Sequence, residues 1–280
     1  MKLEEGFFKS FDQTNLYYRA ALYESRLAIL LIHGYGDHCT RYQDLIEELK
    51  ELPISWFAFD LRGQGKSEGQ RVYAENFETF VKDVEQFYAF ISKQFPNHCK
   101  KVILMGHSFG GLIAARAIEK SGELFGGLIL TSPCFQPAGI SWWLPTRLLA
   151  RLLNRLAPRL VLNNFVKPKY LFKNPVKMDS YLRDRLIERR ISGRLSHVLL
   201  RACEESEHMK LNWKGPLLVL ASGDDHIVSL EATKRWFENV WASSKEMKIY
   251  PKLYHELFNE LDHKEPLRDL KHFLIKLLEV

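Results

Sequence analysis

The sequence predicts an α/β fold in which a mostly parallel, eight-stranded sheet has helices on both faces and an inserted helical cap. Two observations support this prediction. Short apolar runs alternate with amphipathic segments along most of the 280 residues, as expected of repeated strand–helix–strand units. In the middle of the chain the alternation stops, the sequence becomes helical, basic and rich in leucine, and the alternation then resumes.

Most of the predicted strands are almost uniformly apolar, which is typical of a parallel sheet covered on both faces. They are residues 27–33, 54–60, 101–107, 127–131, 217–221 and 246–250. Residues 7–11 and 16–21 predict two further strands, joined as an antiparallel hairpin by the polar turn at 12–15. This hairpin is expected at an edge of the sheet.

Amphipathic segments with the period of a helix lie between the strands. They are residues 41–49, 77–95, 110–120, 230–241 and 266–278. Residues 135–213 interrupt the pattern and contain prolines that break them into short helices, namely Pro137, Pro145, Pro158, Pro168 and Pro175. The simplest organisation is one α/β core, residues 1–134 and 214–280, with residues 135–213 as a helical cap.

Composition narrows the class of protein. Hydrophobic residues make up 46% of the chain and charged residues 26%, as in ordinary globular proteins. The four cysteines are scattered, which suits a reducing compartment. No apolar run reaches the roughly 18 residues of a spanning helix, and residues 1–6 show no signal-peptide pattern. We therefore expect a cytoplasmic protein, peripheral at most to the inner face of a membrane.

The net charge of +6 is concentrated in the cap. Residues 136–210 contain 15 Lys and Arg against 6 Asp and Glu. This excess favours an anionic surface or substrate near the cap. Nucleic acid is not expected as a partner, because no recognised nucleic-acid-binding module accompanies the charge.

A serine between two glycines marks the centre of the predicted site. Gly106-His107-Ser108-Phe109-Gly110 follows a predicted strand and precedes a predicted helix, which is the context of the nucleophile elbow of α/β hydrolases. The sharp turn raises the serine Oγ above the sheet, and the helix N-terminus adds a positive dipole beside it. The sequence therefore predicts an α/β-hydrolase fold with Ser108 as nucleophile; the alternative is a glycine-rich turn of another doubly wound fold.

An acid and a histidine should follow the serine in that order. After the strand at 217–221 come two candidates for the acid, Asp224 and Asp225. Asp225 is preferred because it begins an Asp-x-Ile-Val pattern, whereas Asp224 suits the cap of the next helix; the choice stays open. His255 follows the last predicted strand and is the candidate base.

Two backbone N–H groups are needed to stabilise the oxyanion formed during acyl transfer. The residue after the nucleophile supplies one of them, here Phe109. The other is expected from the glycine-rich loop that begins at His33, where the amide of Tyr35 is the candidate. His33 and His107 are expected to have packing roles.

Several stretches resemble the monoacylglycerol lipase and lysophospholipase group of α/β hydrolases, the serine aminopeptidase-type hydrolases. They are HGYGDHCTRY (33–42), FDLRGQGKSEGQR (59–71), MGHSFGG (105–111), LTSP (130–133), DRLIERRIS (184–192), DDHIVS (224–229) and IYPKLYHELFNE (249–260). The resemblance implies the same triad and oxyanion residues. Tyr35, Gln64 and Arg185 depart from the family pattern; they leave the triad intact and bear on substrate choice.

One predicted helix of the cap is unusually regular. Arginines recur at every fourth position beside a row of leucines and follow two tryptophans: Trp142, Trp143, Arg147, Arg151, Arg155 and Arg159. The helix is expected to begin at Pro145 and to end near Ala157. Its cationic stripe and tryptophans suit an anionic membrane interface. The alternative is a helix whose leucines pack on the core while its arginines are solvated.

The sequence therefore predicts a serine hydrolase that cleaves the carboxylic ester of a single-chain lipid, a monoacylglycerol or lysophospholipid, through an acyl-enzyme on Ser108. An aminopeptidase or amidase with the same triad is the alternative, although a basic, leucine-rich cap argues against binding an amino group. A binding protein that has lost catalysis would not need all three triad residues. No metal or organic cofactor is expected.

Overall fold

Ten strands occur in the residues that the computed structural model describes, which are 2–25, 27–139, 143–164 and 166–279. They are β1 (Lys2–Lys9), β2 (Asn15–Leu22), β3 (Leu27–Ile32), β4 (Ser55–Phe59), β5 (Lys101–His107), β6 (Gly127–Thr131), β7 (Val161–Asn163), β8 (Arg190–Ser192), β9 (Asn212–Ser222) and β10 (Trp241–Tyr250). Eight form one sheet in the order β1-β2-β4-β3-β5-β6-β9-β10. Strand β2 pairs antiparallel with β1 and β4, and the other neighbouring pairs of this sheet are parallel. The predicted mostly parallel, eight-stranded sheet is confirmed.

Helices cover both faces of the sheet, as predicted. They are α1 (Gln43–Glu48), α2 (Glu78–Gln94), α3 (Phe109–Ser121), α4 (Leu144–Leu156), α5 (Pro175–Arg183), α6 (Gly193–Ser206), α7 (Leu230–Asn239) and α8 (Lys264–Leu278). Helices α2, α3 and α7 pack on one face and α1 and α8 on the other. In β3, Leu30 and Ile32 enter the first core, while Ile29 and Leu31 enter the second. Burial on both faces explains why this strand has no polar alternation.

Strands β9 and β10 each begin five residues earlier than predicted. Residues 241–244 pair with residues 212–216 across an irregular register. These segments mix polar, glycine and proline residues, so their sequence lacks the apolar pattern from which strands are predicted. Backbone pairing between β9 and β10 extends both strands through these residues.

Residues 135–213, which we call the cap, follow β6, contain α4, β7, α5, β8 and α6, and end within the first residues of β9. Helix α6 buries Leu195, Val198 and Cys203 in the core beneath it. Strands β7 and β8 form a separate antiparallel ribbon. The sequence analysis did not predict this ribbon within the helical cap, because strands of three residues are too short to show a period.

Helix α4 spans the predicted residues, but its faces differ from both predictions. Arg147 and Arg151 turn toward α6 and pair with Glu204, and the Arg151 Nη2–Glu204 Oε1 distance is 3.5 Å. The side chains exposed on its outer face are Leu144, Leu148, Leu149, Leu152 and Leu156, with Trp143 just before the helix. Arg147 and Arg151 of the predicted cationic stripe thus have Glu204 as an acidic partner, although the Arg151 side chain is still 52% exposed. Trp142 lies outside the described residues.

The cause is the close approach of α4 to α6. A Cβ placed on Gly193, the first residue of α6, would lie 3.0 Å from the Leu153 Cβ, and Ala150 is buried between the helices. Small residues at this contact leave the leucines of the other face uncovered. No helix in the described ranges combines the length and apolar character needed to cross a bilayer.

Candidate active site

Ser108 occupies a strained turn between β5 and α3. Its φ of 53° and ψ of −117° place a non-glycine residue in a rarely occupied region, as in nucleophile elbows. A Cβ on Gly106 would lie 2.3 Å from the Gly110 carbonyl oxygen, and one on Gly110 would lie 2.2 Å from that of Ile32. Both glycines are therefore required for the backbone path that presents Ser108.

Asp225 and His255 are brought together from the loops after β9 and β10. The distance from Asp225 Oδ2 to His255 Nδ1 is 2.8 Å, and the side chains are 2% and 3% exposed. The other carboxylate oxygen accepts hydrogen bonds from the backbone N–H groups of Ile227 and Val228 at 2.8 and 2.9 Å. With both oxygens engaged, the carboxylate is held in one orientation against the imidazole.

Asp224, the other candidate for the acid, points away from His255. Its side chain is 42% exposed and pairs with His226 at 3.1 Å and with Lys173 at 3.5 Å. The geometry therefore favours Asp225 as the partner of His255.

The environment of His255 sets its tautomer and its pKa. Since Nδ1 faces a carboxylate, it carries the proton, and Nε2 is left as the basic nitrogen. Burial by itself would lower the pKa of His255, but the charge and hydrogen bond of Asp225 outweigh it and raise the pKa above its ordinary value. The protonated form of the His255 imidazole is thus stabilised by the Asp225 carboxylate.

The two proposed oxyanion donors face the same cavity as Ser108 and His255. Tyr35 and Phe109 both line it. Within the part of the chain that the structure describes, the backbone N–H groups of these two residues donate to no protein acceptor. Free N–H groups beside a nucleophile are what an oxyanion hole needs.

A comparison with known proteins places this site in a family. The profile described as serine aminopeptidase, S33, matches residues 23–262. The chain belongs to the serine aminopeptidase S33 family. Human monoglyceride lipase is 33% identical over 235 residues, which are 83% of this chain and 76% of that protein. Phospholipase YtpA of Bacillus subtilis is 29% identical over 88% of this chain and 93% of its own length.

A solved structure shares the whole architecture of this S33 hydrolase. The crystal structure of Paleococcus ferrophilus monoacylglycerol lipase has a TM-score of 0.84 and 30% identity, over 93% of this chain and 98% of that one. The predicted α/β-hydrolase fold and the resemblance to the monoacylglycerol lipase and lysophospholipase group are therefore confirmed. The chain spans only 47% and 25% of the length of two other curated relatives.

Two departures from the family pattern support the loop that carries Tyr35, one of the two proposed oxyanion donors. Gln64 Oε1 accepts a hydrogen bond from the Gly36 backbone N–H at 2.7 Å, and the Tyr35 hydroxyl donates to the Arg190 carbonyl oxygen in the cap. Gly36 has a φ of +72°, and a Cβ there would lie 2.2 Å from the Glu188 carbonyl oxygen. The cap thus contacts the loop directly and helps to hold its conformation.

Two buried histidines near the site are held by backbone groups. His33 Nε2 accepts from the Leu61 N–H at 2.9 Å while its Nδ1 donates to a carbonyl. His107 Nδ1 lies 3.1 Å from the Thr131 carbonyl oxygen, and its ring is 4.9 Å from that of His255. Burial, followed by repulsion from His255, lowers the pKa of His107 to about 3. His107 is therefore neutral near pH 7 and unsuited to act as the base.

The cavity beside Ser108 has a volume of about 150 Å³. Its apolar lining comes mainly from the cap and includes Val166, Leu171, Ile191, Leu199, Leu200 and Ile227. Charged and polar side chains from the core and the cap, Asp37, Arg41, Tyr181 and Glu256, also line it. The sequence did not predict these lining residues, since they come from segments far apart along the chain. No group of three His, Cys, Asp or Glu side chains among the described residues is arranged to hold a metal ion.

Proposed function

We propose that this chain is a serine carboxylic ester hydrolase that cleaves a single-chain lipid, a monoacylglycerol or lysophospholipid, through an acyl-enzyme on Ser108. The observation that carries the proposal is the buried Asp225–His255 pair in the cavity of an elbow serine. The free amides of Tyr35 and Phe109 complete the set of groups that acyl transfer requires.

The reaction proceeds in two halves. His255 Nε2 accepts the Ser108 hydroxyl proton as Oγ attacks the acyl carbonyl, and Asp225 stabilises the resulting imidazolium. The oxyanion receives hydrogen bonds from the Tyr35 and Phe109 amides until the carbonyl re-forms and the alcohol leaves with the proton from His255. Water, activated by His255, then adds to the acyl-enzyme; collapse releases the fatty acid and returns the proton to Ser108.

A lipid substrate is supported by the walls of the cavity and by the relatives. The apolar lining side chains offer an acyl chain a surface that it can bury. The human relative is named a monoglyceride lipase and the Bacillus relative a phospholipase. The amidase alternative has weaker support, because the acidic side chains in the cavity, Asp37 and Glu256, both bind Arg41 and offer an amino group little unpaired charge.

Ester hydrolysis should increase with the length of the acyl chain. With p-nitrophenyl esters we expect kcat/KM to rise about two- to fourfold per added CH₂ until the cavity is filled, since each buried CH₂ contributes roughly 0.8 kcal/mol. Turnover of 1-monoacylglycerol and lysophosphatidylcholine would then identify the headgroup. Hydrolysis of aminoacyl amides without hydrolysis of esters would support the amidase instead and contradict the proposal.

We also propose that the outer face of α4 docks on the membrane that supplies the lipid. Its row of exposed leucines, together with Trp143, which is 61% exposed, is an apolar surface of the kind that enters the interfacial region. Arg155 and Arg159 are exposed beside it and suit anionic headgroups. Docking therefore uses the leucines and these later arginines, while Arg147 and Arg151 hold α4 to α6.

Charged residues in that face should weaken binding to vesicles. We expect Leu148→Asp/Leu152→Asp to reduce partitioning onto vesicles with 30% anionic lipid by about tenfold or more, because apolar burial is lost and two negative charges are added. Val176→Asp is the matched control, since Val176 is an apolar residue of the cap, 75% exposed on α5. Co-sedimentation measures the effect; equal binding of the double variant and the wild type would contradict docking through α4.

A further inference from the structure

The loop that carries Tyr35 is bonded to one turn of the cap, residues 184–190, which we call the cap turn. The Tyr35 hydroxyl donates to the Arg190 carbonyl oxygen. At the next residue of the loop, the Gly36 carbonyl oxygen accepts from the Glu188 backbone N–H at 2.8 Å. A side-chain bond and a backbone bond therefore join the loop to the cap turn at successive residues.

The cap turn has its own internal bonds, so it presents the Arg190 carbonyl in a defined place. The Glu188 carboxylate accepts from the Arg190 backbone N–H at 3.1 Å and from the Arg190 guanidinium at 2.8 and 2.9 Å. The hydrogen bonds from Arg190 lower the pKa of Glu188, so the carboxylate is charged near pH 7. The start of the turn is also held, since Asp184 Oδ2 lies 2.8 Å from His38 Nε2.

On its other side the Tyr35 ring contacts the second proposed oxyanion residue. The ring centres of Tyr35 and Phe109 are 6.1 Å apart, and their planes meet at 79°. Phe109 is 1% exposed, and its ring packs in turn against those of Phe77 and Phe80, with centres 5.9 and 5.2 Å away. The Tyr35 side chain therefore reaches from a fixed aromatic cluster of the core to a fixed carbonyl of the cap.

The backbone at Tyr35 needs such external contacts, because glycines flank it on both sides. Gly34 and Gly36 place little restriction of their own on the backbone. The Gly36 N–H is held by Gln64 Oε1 at 2.7 Å, which fixes the peptide that follows Tyr35. The peptide whose N–H is the proposed oxyanion donor precedes Tyr35, so its direction depends on how the Tyr35 side chain is held.

We infer that the Tyr35 hydroxyl is a positioning group for the oxyanion hole, through which the cap turn sets the direction of the Tyr35 N–H. The oxyanion exists only in the tetrahedral states of the reaction, so this N–H contributes to turnover rather than to binding of the ester. Burial of the phenol raises the pKa of Tyr35 above its ordinary value, so the hydroxyl keeps its proton and can donate. The inference rests on the proposed function.

The test removes the hydroxyl and keeps the ring. In Tyr35→Phe we expect kcat and kcat/KM for a p-nitrophenyl ester to fall equally, by about tenfold, since the N–H is still present but less well directed. Affinity for an alkyl trifluoromethyl ketone should fall by a similar factor. Ser108 Oγ adds to its carbonyl, His255 takes the serine proton, and the oxyanion of the adduct needs the same N–H. Affinity for an alkyl glycerol ether, which has no carbonyl, should stay within twofold of the wild type.

Two further variants separate this role from a general disturbance. Tyr17→Phe is the matched control, because the Tyr17 hydroxyl donates to Glu5 at 2.6 Å within the β1–β2 pair, and this variant should keep wild-type kinetics. Glu188→Gln weakens the cap turn and should lower kcat by about three- to tenfold. Combined with Tyr35→Phe, it should add less than twofold to the loss, because both substitutions act through the same contact.

Wild-type kcat and ketone affinity in Tyr35→Phe would overturn the inference. An equal loss of affinity for the ether would also overturn it, since that result would indicate a change in the whole cavity. Additive losses in the double variant would contradict the part assigned to the cap turn. In all three cases the wild type still hydrolyses esters and the proposed function stands. Failure of the wild type to turn over any ester would instead overturn the proposed function, and the inference with it.

Discussion

Replacing Ser108 with alanine is expected to lower kcat/KM for esters by about 10⁵-fold, because the acyl-enzyme cannot form without the Oγ atom. The stability of the fold should change little, since alanine keeps the Cβ that already occupies the φ of 53° at this turn. Hydrolysis of a p-nitrophenyl ester and labelling by a fluorophosphonate measure the activated serine, and thermal unfolding reports on the fold. Both labelling and turnover should be lost in the variant.

Ser243→Ala is a suitable control, because Ser243 is exposed on the edge strand β10 and should label and turn over like the wild type. Turnover in the Ser108→Ala variant within tenfold of the wild type would reject Ser108 as the nucleophile. Labelling of the wild type without turnover of any ester would show that Ser108 is activated but that its substrate is another acyl compound.

The substitution Asp225→Asn should have the next largest effect on kcat/KM. We expect Asp225→Asn to lower kcat/KM by about 10³- to 10⁴-fold, because an amide cannot stabilise the imidazolium and can hold the wrong tautomer of His255. Asp224→Asn provides a matched control at the adjacent residue. Because the Asp224 side chain is 42% exposed and directed at His226 and Lys173, that variant should retain activity within about twofold.

The dependence on pH distinguishes loss of the charge from a general disturbance. His255 acts as a base only when neutral, so activity should fall as the pH decreases through a pKa that Asp225 raises above the ordinary value. In Asp225→Asn only the weaker effect of Glu256 opposes the lowering of the His255 pKa by burial, and the acidic limb of the residual pH–rate profile should move to lower pH. Equal losses in the Asp224 and Asp225 variants, with no movement of this limb, would contradict the assignment.

Much of the fold could be predicted because it depends on neighbours in the chain. A strand buried on both faces must be apolar throughout, and β5 and β6 match the predicted residues at both ends. The turn at Ser108 was predictable for a similar reason. A side chain at Gly106 would collide with the carbonyl oxygen of Gly110 in the same turn, so this constraint can be recognised from residues close together in the chain.

The sequence reduced the candidates for the catalytic acid to two residues but could not decide between them. Asp224 and Asp225 are adjacent and chemically identical, and only the folded backbone turns one carboxylate inward. The loop after β9 directs Asp225 to His255 through the amides of Ile227 and Val228, while Asp224 remains in contact with solvent. The Asp-x-Ile-Val pattern also favoured Asp225. The distance of 2.8 Å from Asp225 to His255, however, is a property of the tertiary structure.

The sequence by itself determined the order of strands and helices in the core, the elbow around Ser108 and the family, since each depends on residues close together in the chain or on motifs. Only the tertiary structure decided which face of α4 is exposed, because that depends on contact with α6 and on Glu204, 57 residues from Arg147. It alone also joined Arg41 to Glu256, 215 residues apart. Amphipathic periodicity identifies two faces of a helix, and charge identifies groups that need partners, but neither specifies the partner.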